Sequence, residues 1–150
     1  MKVPHSAQAL WGVLVYNMPM QRNFLFLTFL SVALMGFLHH LGSYYFLYWS
    51  IGWFDMVMHF LGGLSVALIF VWGYYFSGVG GGDVSVDKRL IMKTFFFVMI
   101  IGVAWEYFEY YFKIANPTKG NYVEDTTLDL IFDALGALLV GIISNKKINS

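Results

Sequence analysis

The chain has 150 residues, 59% of them hydrophobic, 20% aromatic and only 12% charged, against about 25% charged in ordinary soluble domains. Its formal net charge is zero and it lacks cysteine. Bulk charge therefore gives no basis for nucleic-acid binding, and disulfides, thiolate metal sites and cysteine nucleophiles are excluded together. With a mean hydropathy of +0.64, this length fits one small domain whose solvent is lipid.

Lys2 is followed by Pro4, and the apolar run Leu10–Tyr16 is short with no small-residue cleavage site, which argues against a cleavable signal peptide. Gln8–Met18 reads as an interfacial or partly inserted helix that stops before Pro19. Four apolar stretches follow, over approximately 23–41, 55–77, 90–114 and 125–144. Each approaches the roughly 20 residues that cross a bilayer. The last does so only if Asp125–Thr127 form its first turn. The aromatic stretch Tyr44–Phe54 between the first two suits an interfacial belt, an extension of the first helix or a re-entrant piece. Gly78–Gly82 reads as a flexible linker, since GVGGGD lacks the following Lys-Ser/Thr of a phosphate cradle, and Asn116-Pro117-Thr118 reads as a turn. The expectation is an all-α integral membrane bundle of about four transmembrane helices with an N-terminal interfacial helix.

Basic residues orient it. With four spans, Lys2, Arg22, Lys88, Arg89, Lys93, Lys146 and Lys147 fall on one side, and only Lys113 and Lys119 on the other. The positive-inside rule places both termini and the Gly78–Arg89 loop in the cytoplasm. Lys93, about one turn into the third span, can snorkel back.

Ionisable residues inside these spans are the strongest functional signal. Asp55 and His59 open the second span, Glu106 and Glu109 approach the end of the third, and Asp125, Asp129 and Asp133 begin the fourth. A charge near the bilayer centre costs roughly 2.5–3.5 kcal/mol on insertion scales, so such residues usually face a partner or a cavity. The basic residues alone put all three groups in the outer half of the membrane. Steps of three and four residues keep each group on one helix face. At about 1.5 Å per residue, Asp133 lies some 12 Å deeper than Asp125, so the site is a funnel opening outward. Six carboxylates around one histidine need compensation in low dielectric, by protons or by a cation.

Plainer readings exist for several of these. Asp125 also fits a cap or first-turn acid favoured by the helix dipole, Glu124 a solvated loop residue, and Glu109 an interfacial one. His39 and His40 fit interfacial hydrogen-bonders better than ligands, while Tyr107, Tyr110 and Tyr122 offer hydroxyls. Gly62, Gly63, Gly102, Gly136 and Gly141 suit close helix packing. For Asp55 with His59, Glu106, and Asp129 with Asp133, the rival is a buried polar lock between helices.

The strings DMVMHFLGG at Asp55–Gly63, WEYFEYYF at Trp105–Phe112 and EDTTLDLIFDALGA at Glu124–Ala137 resemble the YjdF-type family of bacterial inner-membrane proteins. More distantly they are similar to the VanZ-like family, whose members include a teicoplanin-resistance factor. Asp55, His59, Glu106, Glu109, Asp125, Asp129, Gly136 and Ala137 match the YjdF-type pattern. The chain departs from the VanZ pattern in lacking an Arg between the last two helices, where Lys119 is the nearest cation, and in carrying Asp133 where Asn is usual. The resemblance covers roughly residues 22–143 and implies a small multi-span membrane protein without supplying a reaction.

Three functions fit the residues. One is a cation-dependent site binding or acting on a lipid-linked or envelope substrate. Its ligands would be Asp55, His59, Glu106, Glu109, Asp129 and Asp133, and its ion Mg²⁺, Mn²⁺ or Zn²⁺. His59, Asp55, Glu106, Asp129 and Asp133 are also the candidate catalytic groups, with His59 the preferred general base or ligand. The second is a proton- or ion-coupled transporter, against which stand the one-sided acids and the absence of an internal repeat. The third is a structural protein whose acids only lock helix packing.

Overall fold

A computed structural model describes the backbone of residues 5–77, 89–113 and 121–148, and the side chains of 21–77, 89–113 and 121–146. Among these residues every regular element is helical. Helix α1 (His5–Tyr44) leads through a turn into the single-turn α2 (Leu47–Ser50). Then come α3 (Phe54–Val71), which continues as a π-helical turn over Trp72–Phe76, α4 (Leu90–Phe112) and α5 (Tyr122–Ile148). Four stretches are long and apolar enough to cross a membrane: Gln21–Tyr44, Phe54–Phe76, Leu90–Phe112 and Tyr122–Lys146. They reproduce the four expected spans within three residues at each end. The Gly78–Gly82 linker, the Asn116-Pro117-Thr118 turn and Lys119 lie outside the described residues.

The helix expected over Gln8–Met18 is present, but it runs on across Pro19 as the first part of α1. Proline removes one ladder hydrogen bond and crowds the preceding turn, and the eleven or more helical residues on either side carry the helix through it. The aromatic stretch divides. Tyr44 closes α1, Phe46 turns the chain with a left-handed φ of 56°, and α2 lays its single turn before α3 begins.

Helix α3 is the hub, packing against α1, α4 and α5. Apolar residues surround α1 on all sides, but only the stripe through Phe24, Thr28, Ser31, Met35, Leu38 and Gly42 is buried or half-buried. Phe26, Phe29 and Phe37 are 62%, 72% and 60% exposed, a surface suited to lipid. Between α3 and α5 the backbones come into contact. A Cβ at Gly63 would overlap the main chain of Asp133, and one at Gly136 would lie 2.5 Å from the Phe60 carbonyl oxygen. Small residues allow this approach, and in lipid close packing is a principal force between helices. Below this contact Ala67, Val71, Leu90, Val98, Ala137 and Val140 form a buried apolar core.

Polar residues finish the ends. Gln21 Nε2 donates to the Phe76 carbonyl at 2.9 Å, satisfying a helix-end acceptor. Lys93 Nζ reaches the Tyr74 hydroxyl at 3.2 Å and lies 4.8 Å from that ring's centroid, as a snorkelling lysine does. At the other end Asn121 caps α5, its Oδ1 accepting from the Val123 N–H at 3.3 Å. Lys113 closes α4 in a left-handed conformation.

Candidate functional site

The start of α3, the end of α4 and the start of α5 meet at one end of this bundle, which is where the in-span ionisable residues lie. Asp55 stands in the first turn of α3, where the helix dipole favours a carboxylate. His59 follows one turn later with only 7% of its side chain exposed. Around its Nε2 are Glu106 Oε1 at 3.8 Å, Asp129 Oδ2 at 3.9 Å and Asp55 Oδ1 at 4.0 Å. Its Nδ1 faces Asp133 Oδ2 at 3.5 Å. One imidazole from α3 is thus addressed by carboxylates of α3, α4 and α5.

Helix α5 holds the Glu106 region in place. Thr126 Oγ1 donates to Glu106 Oε2 at 2.8 Å, and the Tyr122 hydroxyl donates to the Glu106 carbonyl at 2.9 Å, so α5 braces the end of α4. Glu106 Oε1 is fully buried without a hydrogen-bond partner. Asp133 fits because Gly102 leaves room: a Cβ there would lie 2.6 Å from Asp133 Oδ2. Asp129 and Asp133 are buried and Asp55 is 39% exposed, so Asp55 marks the mouth.

Two groups of side chains bring their ligating atoms within 4.8 Å of one another: Asp55 with His59 and Asp129, and His59 with Glu106 and Glu109. Among the described residues, His59 is the one basic side chain found in ion-pair range of these acids.

The remaining sequence candidates stand apart. Asp125 is half-buried one turn before Asp129 and joins neither group; Glu124 is exposed in the first turn of α5. His39 and His40 are exposed, His39 Nδ1 paired with the Tyr48 hydroxyl at 2.8 Å and His40 stacked on Tyr44. Tyr107 and Tyr110 are 67% and 65% exposed. Tyr122 alone of the three tyrosines reaches the site.

Two contributors escaped the sequence reading. Thr126, whose only sequence signal is its place three residues before Asp129, supplies the Glu106 hydrogen bond. Tyr48 sits in α2 with its ring edge-on to Phe54 at 4.9 Å. Its hydroxyl is pushed up to about 12, by burial first and then by the negative charges of Asp55 and Glu109. No helical period connects Tyr48 to α3, because the turn over residues 51–53 intervenes.

The distances discriminate between kinds of contact. Separations of 3.8–4.0 Å exceed the hydrogen-bond range of about 2.7–3.2 Å. They fall inside the span of a shared cation, since two ligands each about 2.1 Å from one ion lie up to about 4.2 Å apart.

Four apolar spans, packed through glycine contacts and enclosing ionisable side chains, define an all-helical multi-pass membrane protein. A family model described as predicted membrane protein (DUF2238) matches residues 8–148. The chain belongs to that family, which is consistent with its YjdF-type resemblance. No curated protein and no solved structure matches.

Proposed function

We propose that this protein holds a divalent cation on the Asp55, His59, Glu106, Glu109 and Asp129 cluster. The cation would serve to bind, or act on, a lipid-linked or envelope substrate from the outer half of the cell membrane. The reading rests on one observation above all. Three carboxylate oxygens from three helices stand 3.8–4.0 Å from a single imidazole nitrogen, too far to hydrogen-bond it and close enough to share an ion with it. Glu106 Oε1, buried and without a hydrogen-bond partner, is an acceptor in want of such a centre. Asp133 on Nδ1 completes a carboxylate–histidine–metal arrangement, in which the outer carboxylate fixes the ring and its tautomer.

A polar lock is the weaker alternative, because a lock draws its strength from satisfied hydrogen bonds. Among the described residues Glu106 Oε2 takes one from Thr126 and Asp133 faces His59 Nδ1 at 3.5 Å, while the buried Glu106 Oε1 takes none. Passage across the bundle is also less well supported. Below Asp133 the buried polar side chains among the described residues are Ser31, Ser65, Thr94 and Ser144, and the rest of the interior is largely apolar. The cytoplasmic placement of both termini rests on the basic residues, with Arg22, Arg89, Lys93 and Lys146 all at the end away from the cluster.

Elemental analysis of protein purified in detergent tests the reading. Wild type should carry a divalent metal that His59→Ala and Asp129→Asn lose while keeping wild-type helicity. Equal metal content in all three folded proteins would overturn it.

A further inference from the structure

The four first-rank carboxylates are not equivalent around His59. Asp55 and Asp129 form one ligating group with it, Glu106 and Glu109 the other. Each set has its ligating atoms within 4.8 Å of one another, so an ion seated on one set with bonds of about 2.1 Å leaves ligands of the other open. Nor can His59 serve two ions. Its Nε2 carries one lone pair, and its Nδ1 is turned to Asp133.

Charge points the same way. Asp55, Glu106, Glu109, Asp129 and Asp133 gather around one imidazole, with no Lys or Arg in ion-pair range among the described residues. With all five ionised, one dication would leave most of that negative charge uncompensated in a low-dielectric site, while two would nearly balance it. Glu106, with 5% of its surface exposed, brings its unpartnered Oε1 to 3.8 Å from His59 Nε2, the atom that Asp55 and Asp129 also approach.

We propose that the cluster is a two-cation site. One ion sits on Asp55, His59 and Asp129, and a second on Glu106 and Glu109, with Glu106 Oε1 at the boundary between them. This inference rests on the single-cation reading above and extends it. The first position has the nitrogen-and-carboxylate set of a three-ligand transition-metal or zinc site with an open position. The second has two carboxylates and no nitrogen, the protein ligand set that Mg²⁺ or Mn²⁺ accepts while keeping water. Two ions about 3.5–4 Å apart are the common spacing of such paired centres.

Mn²⁺ serves as the probe for both positions. The full chain, freed of metal and reconstituted in nanodiscs, is titrated with Mn²⁺ while bound metal and its electron paramagnetic resonance spectrum are followed. The expected result is two Mn²⁺ per chain with an exchange-coupled spectrum. Glu109→Gln, isosteric and at the half-buried edge, should bind one Mn²⁺ with an uncoupled six-line spectrum, the second ion weakened at least about tenfold. One uncoupled Mn²⁺ in wild type, lost in His59→Ala but unaffected by Glu109→Gln, would overturn the second ion and leave the single-cation reading standing. No Mn²⁺ bound by helical wild-type protein would overturn both.

Discussion

His59 and Asp133 face each other across the α3–α5 contact, Nδ1 to Oδ2 at 3.5 Å, at the level where Gly63 brings the two backbones together. The carboxylate therefore lies behind the ring, on the side away from Glu106, Asp129 and Asp55. An outer carboxylate of this kind typically contributes 10–100-fold to metal affinity. Asp133→Asn should weaken Mn²⁺ binding by about that factor without abolishing it, whereas Asp129→Asn removes a ligand and costs more. Titration of the two variants side by side checks the order, and equal losses would place Asp133 among the ligands.

Gly102→Ala tests the same carboxylate from α4. The added methyl meets the end of the Asp133 side chain, which can turn aside while the backbone stays in place. Helicity and thermal stability should be close to wild type, and Mn²⁺ affinity should fall into the range of Asp133→Asn.

Gly63→Ala and Gly136→Ala should behave in the opposite way. Their methyl groups meet backbone atoms of the opposing helix, which cannot move without separating α3 from α5. Overpacking of this kind costs about 1–3 kcal/mol or more. Gly36→Ala, with open space around its position, is the control and should be neutral or stabilising by up to about 1 kcal/mol. Thermal unfolding in one detergent compares the three.

Removing the cation should lower stability by mass action. At free metal 100 times Kd, binding to the folded state alone contributes about 2.7 kcal/mol. A chelator should therefore lower the unfolding temperature of wild type and leave that of His59→Ala unchanged. A similar shift in both would place the stabilising ion elsewhere.

Tyr48 carries the pH prediction. Its hydroxyl is raised from 10.0 to about 12 by burial, then by Asp55 and Glu109. Both folded and unfolded chains are protonated there below pH 10, so Tyr48 has no effect on stability in that range. Above it the unfolded chain ionises first, and stability is lost as pH rises toward 12. Tyr48→Phe should flatten the fall in unfolding temperature between pH 10 and pH 12, at the cost of the His39 hydrogen bond. An unchanged alkaline limb would show that Tyr48 does not titrate late.

Much of this molecule follows from local chemistry. Apolar runs of about 20 residues have few stable solutions in lipid other than helices, so the four spans can be read directly from composition. Spacings such as Asp55 to His59, or Asp129 to Asp133, place each pair on one helix face, and antiparallel neighbours then bring all the acids to one end. What spacing leaves open is how far each helix is rotated and slid against the next. The Gly63–Asp133 and Gly136–Phe60 contacts settle that, because backbones in contact fix register to within one turn. Register then puts Asp133 behind His59, divides the other acids into two sets, leaves Asp125 outside both and brings in Thr126. Tyr48 joins only through the left-handed turn at Phe46, which no periodic pattern encodes.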